Sequence, residues 1–290
     1  MSSLRIATRG SAQARTQSES VAAALRAAHP GLTVELVLIE TTGDQRQDVP
    51  LHEIGGQGVF VREVQRAVLD GRADLAVHSA KDLPSWTAEG LRLTCVTERR
   101  DPRDALIGAS STNSARVPPW PPGQSAVELS SVLRPDLTFV ELRGNIGTRL
   151  DKVPDGGSIV MAVAALKILG LTERIAEILD PAVMVPQVGQ GAVAIECRAD
   201  DSETIERCSA IEHAPTRRDV DVERAFLGEL GGGCSLPIGA HVMAHPDTGE
   251  RSLGIFLGLG DEPRRWWEPL PVGGDELAVA RAAAAPFVER

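Results

Sequence analysis

The chain has 290 residues, of which 42% are hydrophobic and 24% charged, an ordinary composition for a soluble globular protein. This length allows two or three domains, each large enough to bury its own core. The formal net charge of −10 argues against a protein that coats nucleic acid or anionic membrane, because both partners require a basic surface.

The sequence contains no segment typical of membrane insertion or export. Its longest apolar run, Ile159 to Leu166, has eight residues and ends at Lys167, whereas a membrane span needs about 20. The N-terminus lacks the apolar core of a signal peptide, so we expect a cytoplasmic protein. The cysteines show neither a CxxC pair nor metal-ligand spacing, so we expect no metal site and four free thiols: Cys95, Cys197, Cys208 and Cys234.

Strand and helix patterns alternate over the first third of the chain. Ser11 is a good N-cap, and Ala14, Val21 and Leu25 share one face of the helix that follows it. In chain order we predict a strand over Leu4–Thr8, a helix from Ser11 to about Ala28, a strand over Thr33–Ile39, a helix over about Val59–Leu69 and a strand over Ala73–Val77. This alternation predicts an α/β fold with a mostly parallel sheet that is covered on both faces.

The pattern resumes after a proline-rich segment, Ser110 to Gly123, which we predict to be a loop. The later predicted elements are strands over Phe139–Leu142, Ser158–Val163 and Leu253–Leu259, helices over Thr172–Leu179 and Asp219–Leu230, and a final alanine-rich helix interrupted by Pro286. The sequence shows no internal repeat.

Two polar segments each follow a predicted strand. Thr8-Arg9-Gly10-Ser11 stands at a strand-to-helix junction, where backbone N–H groups, an arginine and a hydroxyl can bind an anion; alternatively, Ser11 only caps the helix. His78-Ser79-Ala80-Lys81-Asp82 lies where open α/β sheets bind their ligands. There an ionised Asp82 can accept a charge-assisted hydrogen bond from a cationic N–H. The alternative is a polar turn before a proline.

Two other segments carry functional side chains among glycines. Arg143 and Arg149 stand on either side of a glycine turn, and guanidinium groups bind carboxylates in a bidentate way that lysine cannot reproduce. Three glycines precede Cys234 and would present its thiol at the tip of a loop, with the access that a nucleophilic cysteine needs. The alternative is an inert loop cysteine. Cys95 and Cys197 have apolar neighbours, and we expect them in the core.

Eight segments stand in order over nearly the whole chain: Arg5–Ser11, Gly55–Gly58, His78–Pro84, Asp101–Ala105, Leu142–Leu150, Val188–Ala192, Ile195–Arg198 and Gly232–Cys234. Together they resemble the hydroxymethylbilane synthase family, also called porphobilinogen deaminase. Each segment alone is a weak signal, whereas eight in order are very specific.

The resemblance implies two α/β domains similar to periplasmic binding proteins and a smaller C-terminal α+β domain. Mapped onto this chain, domain 1 covers 1–97 with 192–213, domain 2 covers 98–191 and domain 3 covers 214–290. It also implies a monomer that acts on the small molecule porphobilinogen. The acidic net charge and the short apolar runs indicate, independently of the resemblance, that it binds neither nucleic acid nor membrane.

The resemblance further implies that a dipyrromethane cofactor is joined to Cys234 through a thioether. Four porphobilinogen molecules are then added head to tail, with loss of ammonia, to give hydroxymethylbilane. Asp82 matches the catalytic carboxylate, which stabilises the cation that forms at a pyrrole N–H as ammonia leaves and can also manage protons for the leaving amine. The positions that hold carboxylates of the cofactor and growing chain match Arg9, Ser11, Ser79, Lys81, Arg143 and Arg149.

The chain departs from the family pattern at several basic positions. A double arginine expected ahead of Arg134-Pro135-Asp136-Leu137 is absent, Gln57 replaces a lysine, and Ile168 replaces an arginine. Three explanations stay open: a divergent active enzyme, an impaired homologue that acts as a non-enzymatic binding protein of the same two-lobed fold, and a local change of reading frame over about 110–124. A thiol-redox protein using Cys234 is disfavoured because no partner cysteine stands nearby in the sequence.

Overall fold

The computed structural model describes residues 3–41, 58, 61–108, 142, 144–231, 237–245, 247–258 and 263–288. The predicted loop over Ser110–Gly123 and the region of the missing arginines lie outside these residues, as does all of the predicted strand Phe139–Leu142 except Leu142. In the part of the chain that is described, no helix is both long enough and apolar enough to cross a membrane.

The elements are numbered here in chain order. The strands are β1 (Ser3–Arg9), β2 (Thr33–Ile39), β3 (Leu75–Ser79), β4 (Leu91–Val96), β5 (Asp104–Gly108), β6 (Ser158–Ala162), β7 (Ile175–Ile178), β8 (Val193–Arg198), β9 (Ile238–Ala244), β10 (Arg251–Leu257) and β11 (Arg264–Pro269). The helices are α1 (Ala12–Ala28), α2 (Arg62–Leu69), α3 (Ile146–Asp151), α4 (Val163–Ile168), α5 (Ser202–Ser209), α6 (Ala214–Glu229) and α7 (Glu276–Ala284).

The chain divides into two compact units, residues 1–100 with 192–218 and residues 101–191 with 219–290. The first unit contains a five-stranded sheet in the order β2-β1-β3-β8-β4. β1 pairs in parallel with β2 and with β3, whereas β8 runs antiparallel to both β3 and β4. The finer division into three domains remains a prediction.

Both faces of this sheet are covered by helices. On one face Leu4, Ile6 and Leu75 pack with Val21 and Leu25 of α1 and with Cys208 of α5. On the other face Ala7 and Ala76 pack with Val64 and Val68 of α2. The predicted α/β architecture with two covered faces is therefore confirmed for this unit.

Three details of the sequence prediction are corrected in the first unit. The sheet is parallel only among β1, β2 and β3, because β8 returns from a distant part of the chain and enters in the opposite direction. Strand β3 starts at Leu75 rather than Ala73, since the carboxylate of Asp74 turns back to bind the backbone N–H of Arg5 at 2.8 Å. Helix α2 begins at Arg62, directly after Val61, and the predicted start at Val59 lies outside the described residues.

In the part of the second unit that the structure describes there are two separate three-stranded sheets, in the orders β6-β5-β7 and β11-β10-β9, and every pairing in them is antiparallel. The helix predicted over Thr172–Leu179 is wrong: a single 3₁₀ turn over Thr172–Arg174 leads directly into β7. The reason is that Ile175 and Ile178 pair with β5 as an edge strand. In the C-terminal part, Phe226 of α6 and Ala280 of α7 pack with Ile255 of β10 to form an α+β layer.

Candidate functional site

The first unit places two of the predicted polar segments at one edge of its sheet. β1 and β3 are parallel neighbours, with Ile6 opposite Leu75 and Ala7 opposite Ala76. Both strands therefore end at the same edge, which we call the carboxyl edge of β1 and β3. Arg9 is the last residue of β1 and Ser79 the last residue of β3. This is the place where α/β sheets bind their ligands.

Ser11 starts α1 as the sequence predicted. Its backbone is extended, with φ −64° and ψ 146°, and its hydroxyl accepts a hydrogen bond from the N–H of Ala14 at 3.3 Å. The first turn of α1 contains no acidic side chain. The positive end of the helix dipole is therefore directed at the carboxyl edge without a local carboxylate to neutralise it.

Ser79 joins the two polar segments. Its hydroxyl lies 3.0 Å from Nε2 and 3.1 Å from Oε1 of Gln17, and Nε2 of Gln13 lies 3.4 Å away. Thr8 is also tied to α1, because its hydroxyl accepts a 2.7 Å hydrogen bond from the hydroxyl of Ser18. The start of α1 is thus fixed to the ends of both β1 and β3.

Sequence reasoning missed these glutamines, although Gln17 carried a signal. It is 7% exposed, and it lies among the buried Val21, Ala22 and Leu25 of α1. A polar side chain on the inward face of an amphipathic helix needs a buried partner. Ser79 is that partner.

Lys81 and Asp82 are presented by a single 3₁₀ turn, Ala80–Asp82, that follows β3 directly. The backbone N–H of Ala80 donates to the carbonyl of Ala192 at 3.0 Å, and the buried Leu83 closes the turn with a hydrogen bond to the carbonyl of Ala80 at 3.2 Å. Lys81 and Asp82 are both half-buried. The turn therefore has a fixed base on the sheet while its charged side chains remain partly accessible.

A second polar cluster that the sequence did not reveal lies inside the sheet just before this turn. Nε2 of His78 lies 3.2 Å from Oε2 of Glu196, and these side chains are only 4% and 2% exposed. Nε2 of Gln65, on α2, donates to the same carboxylate oxygen at 2.8 Å. The buried carboxylate of Glu196 thus contacts His78, the residue directly before the Ser79-to-Asp82 segment.

In the second unit the predicted site residue Arg149 lies in α3, half-buried. Asn145 caps this helix and accepts from the N–H of Thr148 at 3.0 Å. Gly144 has a φ of +126°, and a Cβ at that position would come within 2.8 Å of Thr148, so the turn requires glycine. Arg143 itself lies outside the described residues.

Two other cations of the second unit are held by one carboxylate. Asp101 binds Arg103 at 2.8 Å and Lys167 at 3.2 Å. The hydrogen bond from Arg103 is the main cause that lowers the pKa of Asp101 to about 2. Ile168, which stands where the resemblance implies an arginine, is the last residue of α4.

The helix that leads towards Cys234 is anchored by a buried glutamate. Oε2 of Glu223, on α6, accepts from the backbone N–H of Gly189 at 2.8 Å. Its Oε1 accepts from the backbone N–H of Val242 at 3.0 Å and lies 3.0 Å from Nδ1 of His241. α6 ends at Glu229, five positions before Cys234. Cys234 itself lies outside the described residues.

The three described cysteines are buried in the core of the first unit. Cys95, Cys197 and Cys208 are each 0% exposed, as expected from their apolar neighbours for the first two. Burial raises the pKa of all three thiols, that of Cys208 to about 12. They are therefore poor nucleophiles in the folded protein.

The carboxyl edge of β1 and β3 carries two cationic side chains, two hydroxyls and one carboxylate, from Arg9, Lys81, Ser11, Ser79 and Asp82. Such a donor set suits a small molecule with several negative charges that also carries an N–H group for Asp82. Among the described residues no group of three or more histidine, cysteine, aspartate or glutamate side chains is arranged to hold a metal ion.

Comparison with known proteins gives consistent matches. The family model described as "Porphobilinogen deaminase, dipyromethane cofactor binding domain" matches residues 4–206, and the model "Porphobilinogen deaminase, C-terminal domain" matches residues 218–257. Curated relatives named porphobilinogen deaminase include one from Nitratidesulfovibrio vulgaris, 46% identical over 85% of this chain and 80% of that protein. Another, from Syntrophotalea carbinolica, is 47% identical over 85% of this chain and 80% of that protein. A third, from a Roseiflexus species, is 44% identical over 89% of this chain and 86% of that protein.

Among solved structures, a TRAP periplasmic solute binding protein from Ochrobactrum anthropi has a TM-score of 0.41 and 13% identity, covering 77% of this chain and 76% of that one. This similarity is too low to assign a role to the chain.

Proposed function

The chain belongs to the porphobilinogen deaminase family, and we propose that it carries out the family's reaction at the carboxyl edge of β1 and β3, with Asp82 as the catalytic carboxylate. The reaction joins four porphobilinogen molecules head to tail, with loss of one ammonia each, and water then releases the linear product as hydroxymethylbilane, a step of tetrapyrrole biosynthesis. The single observation that supports this location most strongly is the hydrogen bonding of Ser79 to Gln13 and Gln17, which holds the two polar segments at one edge.

The donor set at this edge fits both substrate and cofactor. Porphobilinogen carries an acetate and a propionate, so each added pyrrole brings two carboxylates. The guanidinium of Arg9, the hydroxyls of Ser11 and Ser79 and the ammonium of Lys81 are all donors, and we assign them to these carboxylates. In the second unit we assign Arg143 and Arg149 to carboxylates further along the growing chain.

Asp82 acts on the pyrrole N–H of the reacting porphobilinogen. As the bond between the aminomethyl carbon and nitrogen breaks, the electron pair leaves with ammonia and positive charge spreads over the ring to its N–H. A carboxylate already fixed at that N–H stabilises the developing charge more than it stabilises the neutral ground state, which lowers the barrier. The hydrogen bond from Ala80 to Ala192 ties the 3₁₀ turn to the sheet and so holds the backbone of Asp82 in place.

Cys234 is the proposed anchor of the dipyrromethane cofactor, through a thioether. When bound, the cofactor supplies the free pyrrole end to which the first substrate is joined. Two observations support this choice. Cys234 follows three glycines in the sequence, a residue type that adds no side-chain bulk beside a thiol. The remaining cysteines are buried in the core with raised pKa values.

The working form is proposed to be a cytoplasmic monomer of three domains, 1–97 with 192–213, 98–191 and 214–290. The two-unit division, with the chain returning to the first unit at Ala192, supports the first of these boundaries. The antiparallel sheet β11-β10-β9, with its own core, supports a separate C-terminal domain.

The role of Asp82 is tested by Asp82→Asn, which keeps the shape of the side chain and removes its charge. We expect the variant to carry the cofactor mass and to lose turnover of porphobilinogen by about two to three orders of magnitude, the usual cost of one charge-stabilising group. Asp155→Asn, at an exposed turn of the second unit, is the control and should retain full turnover. Turnover of Asp82→Asn within about twofold of the parent protein would reject the catalytic role.

A further inference from the structure

The first unit contains a buried polar triad with no part in the chemistry described so far. It consists of His78 on β3, Glu196 on β8 and Gln65 on α2. Glu196 and His78 are both buried as whole residues, as their side chains are. Nε2 of His78 lies 3.2 Å from Oε2 of Glu196, without the alignment of a hydrogen bond.

Stability alone does not account for this triad. The face of the sheet on which it lies is otherwise lined by apolar side chains, such as Ala76 of β3 and Val64 and Val68 of α2. Taking a carboxylate and an imidazole out of water is costly, and well-packed apolar residues of similar size are often as stabilising as a buried charged pair. The triad therefore calls for a second role.

Its position in the sheet indicates that role. Glu196 stands opposite Ala76 in the β3–β8 ladder, and Ala194 stands opposite His78. Glu196 and His78 are consequently diagonal neighbours on one face of the sheet, and their side chains meet across the last residues of β3. Two residues later, the N–H of Ala80 is bound to the carbonyl of Ala192, on the chain that leads into β8. Besides the ladder pairing itself, two further contacts with the β8 segment thus hold the end of β3, immediately before Lys81 and Asp82.

We propose that Glu196 is a positioning residue for Asp82 and acts through His78. The charge of Glu196 fixes the imidazole, and with it the backbone at the end of β3. The 3₁₀ turn that carries Asp82 begins two residues after His78, so this contact sets where the carboxylate stands relative to a pyrrole N–H. Gln65 orients Glu196 by donating to the same oxygen that faces His78. The inference rests on the catalytic role proposed above for Asp82.

The test is Glu196→Gln in the full-length protein carrying its cofactor, which keeps the size of the side chain and removes its charge. A displacement of a catalytic group costs up to about a hundredfold in rate, so we expect kcat to fall roughly ten- to hundredfold. The KM for porphobilinogen should change less than about twofold, because the contact matters only when charge develops at the N–H. Cofactor content, from intact mass, should stay complete.

A double-variant measurement separates positioning from general loosening. His78→Gln should reproduce the fall in kcat, and the double variant should be no slower than the slower single one, because both act through one contact. His78→Gln also keeps the proposal testable should Glu196→Gln not fold. Additive effects on kcat would overturn the proposal.

Asp74→Asn is the matched control, because Asp74 binds Arg5 at 2.7 Å directly before the opposite end of β3. It should lower the melting temperature and leave kcat unchanged. An equal fall in kcat for Asp74→Asn, or an unchanged kcat for Glu196→Gln, would overturn the proposal. Asp82→Asn, measured in the same assay, separates a failure of this proposal from a failure of the catalytic role of Asp82. If Asp82→Asn is inactive while Glu196→Gln has normal kcat, the positioning role is rejected and the catalytic role stands.

Discussion

The chemical reactivity of the cysteines gives a direct test of the cofactor anchor. The protein has four cysteines, of which Cys95, Cys197 and Cys208 are completely buried. If Cys234 carries the thioether, the native protein with its cofactor presents no reactive thiol. Protein made in a host that cannot form porphobilinogen should present one, because Cys234 is then free.

The expected difference in reaction rate between an exposed thiol and the three buried thiols follows from their burial and their thiolate fractions. An ordinary thiol with a pKa of about 8.5 is roughly one quarter thiolate at pH 8. The pKa of Cys208 is raised to about 12, so its thiolate fraction at pH 8 is about 10⁻⁴. The difference slows its reaction roughly two-thousandfold, before the loss of reagent access is counted. The raised pKa values of Cys95 and Cys197 act in the same direction.

The assay is thiol titration with an aromatic disulfide reagent, before and after denaturation, alongside intact mass. We expect no rapidly reacting thiol in the native cofactor-loaded protein and three after denaturation. The cofactor-free protein should show one when native and four when denatured, and Cys234→Ser should show none and three. Four thiols in the denatured, loaded protein would refute the thioether. A second fast thiol in the native cofactor-free protein would refute the argument from burial.

Two further predictions concern contacts described above. Ser79→Ala removes the hydrogen-bond partner of the buried amide of Gln17, so we expect a loss of about 1–3 kcal/mol in the free energy of unfolding and a raised KM for porphobilinogen. Ser18→Ala breaks another buried contact of α1 and should lower stability without changing the KM. Equal KM values for the two variants would contradict the role of Ser79. The pKa of Asp101 is lowered to about 2 by Arg103, so its charged form stabilises the folded state above about pH 4, and this contribution is lost as the pH falls towards 2. Urea unfolding of Asp101→Asn should show a loss of roughly 1–2 kcal/mol at pH 7, after allowance for solvent screening, and a difference from the parent protein that persists undiminished near pH 2 would contradict this assignment.

Elements with a clear local pattern were predictable from the sequence. The cap at Ser11 and the apolar stripe of α1 define that helix, and Thr33–Ile39 was predicted with the bounds that β2 has. β7 was predicted wrongly as a helix, because four residues are too few to reveal a period of two. Its strand pairing depends on β5, which is remote in sequence.

The same distinction applies to the candidate site. A strand followed by a polar segment is visible in the sequence, so the placement of the Ser11 and Ser79 segments at one edge of the sheet could be anticipated from the rule for carboxyl edges. The partner of a buried polar residue is not visible in this way. Gln17 lies on the inward face of an amphipathic helix and Glu196 in an otherwise apolar strand, which indicates that each has a partner. Only the fold shows that these partners are Ser79 and His78.

The insertion of β8 between β3 and β4 has a consequence for biosynthesis on the ribosome. Among the described strands β4 pairs only with β8, so a nascent chain that has not reached residue 193 leaves β3 with an open edge and β4 without a neighbour. Such open edges recruit other chains. Glu196 also arrives with β8, so the turn that carries Asp82 acquires both of its tethers late, when two thirds of the protein has already been made. A fragment that ends before β8 would contain Asp82, the proposed catalytic residue, without the strand that holds its turn in place.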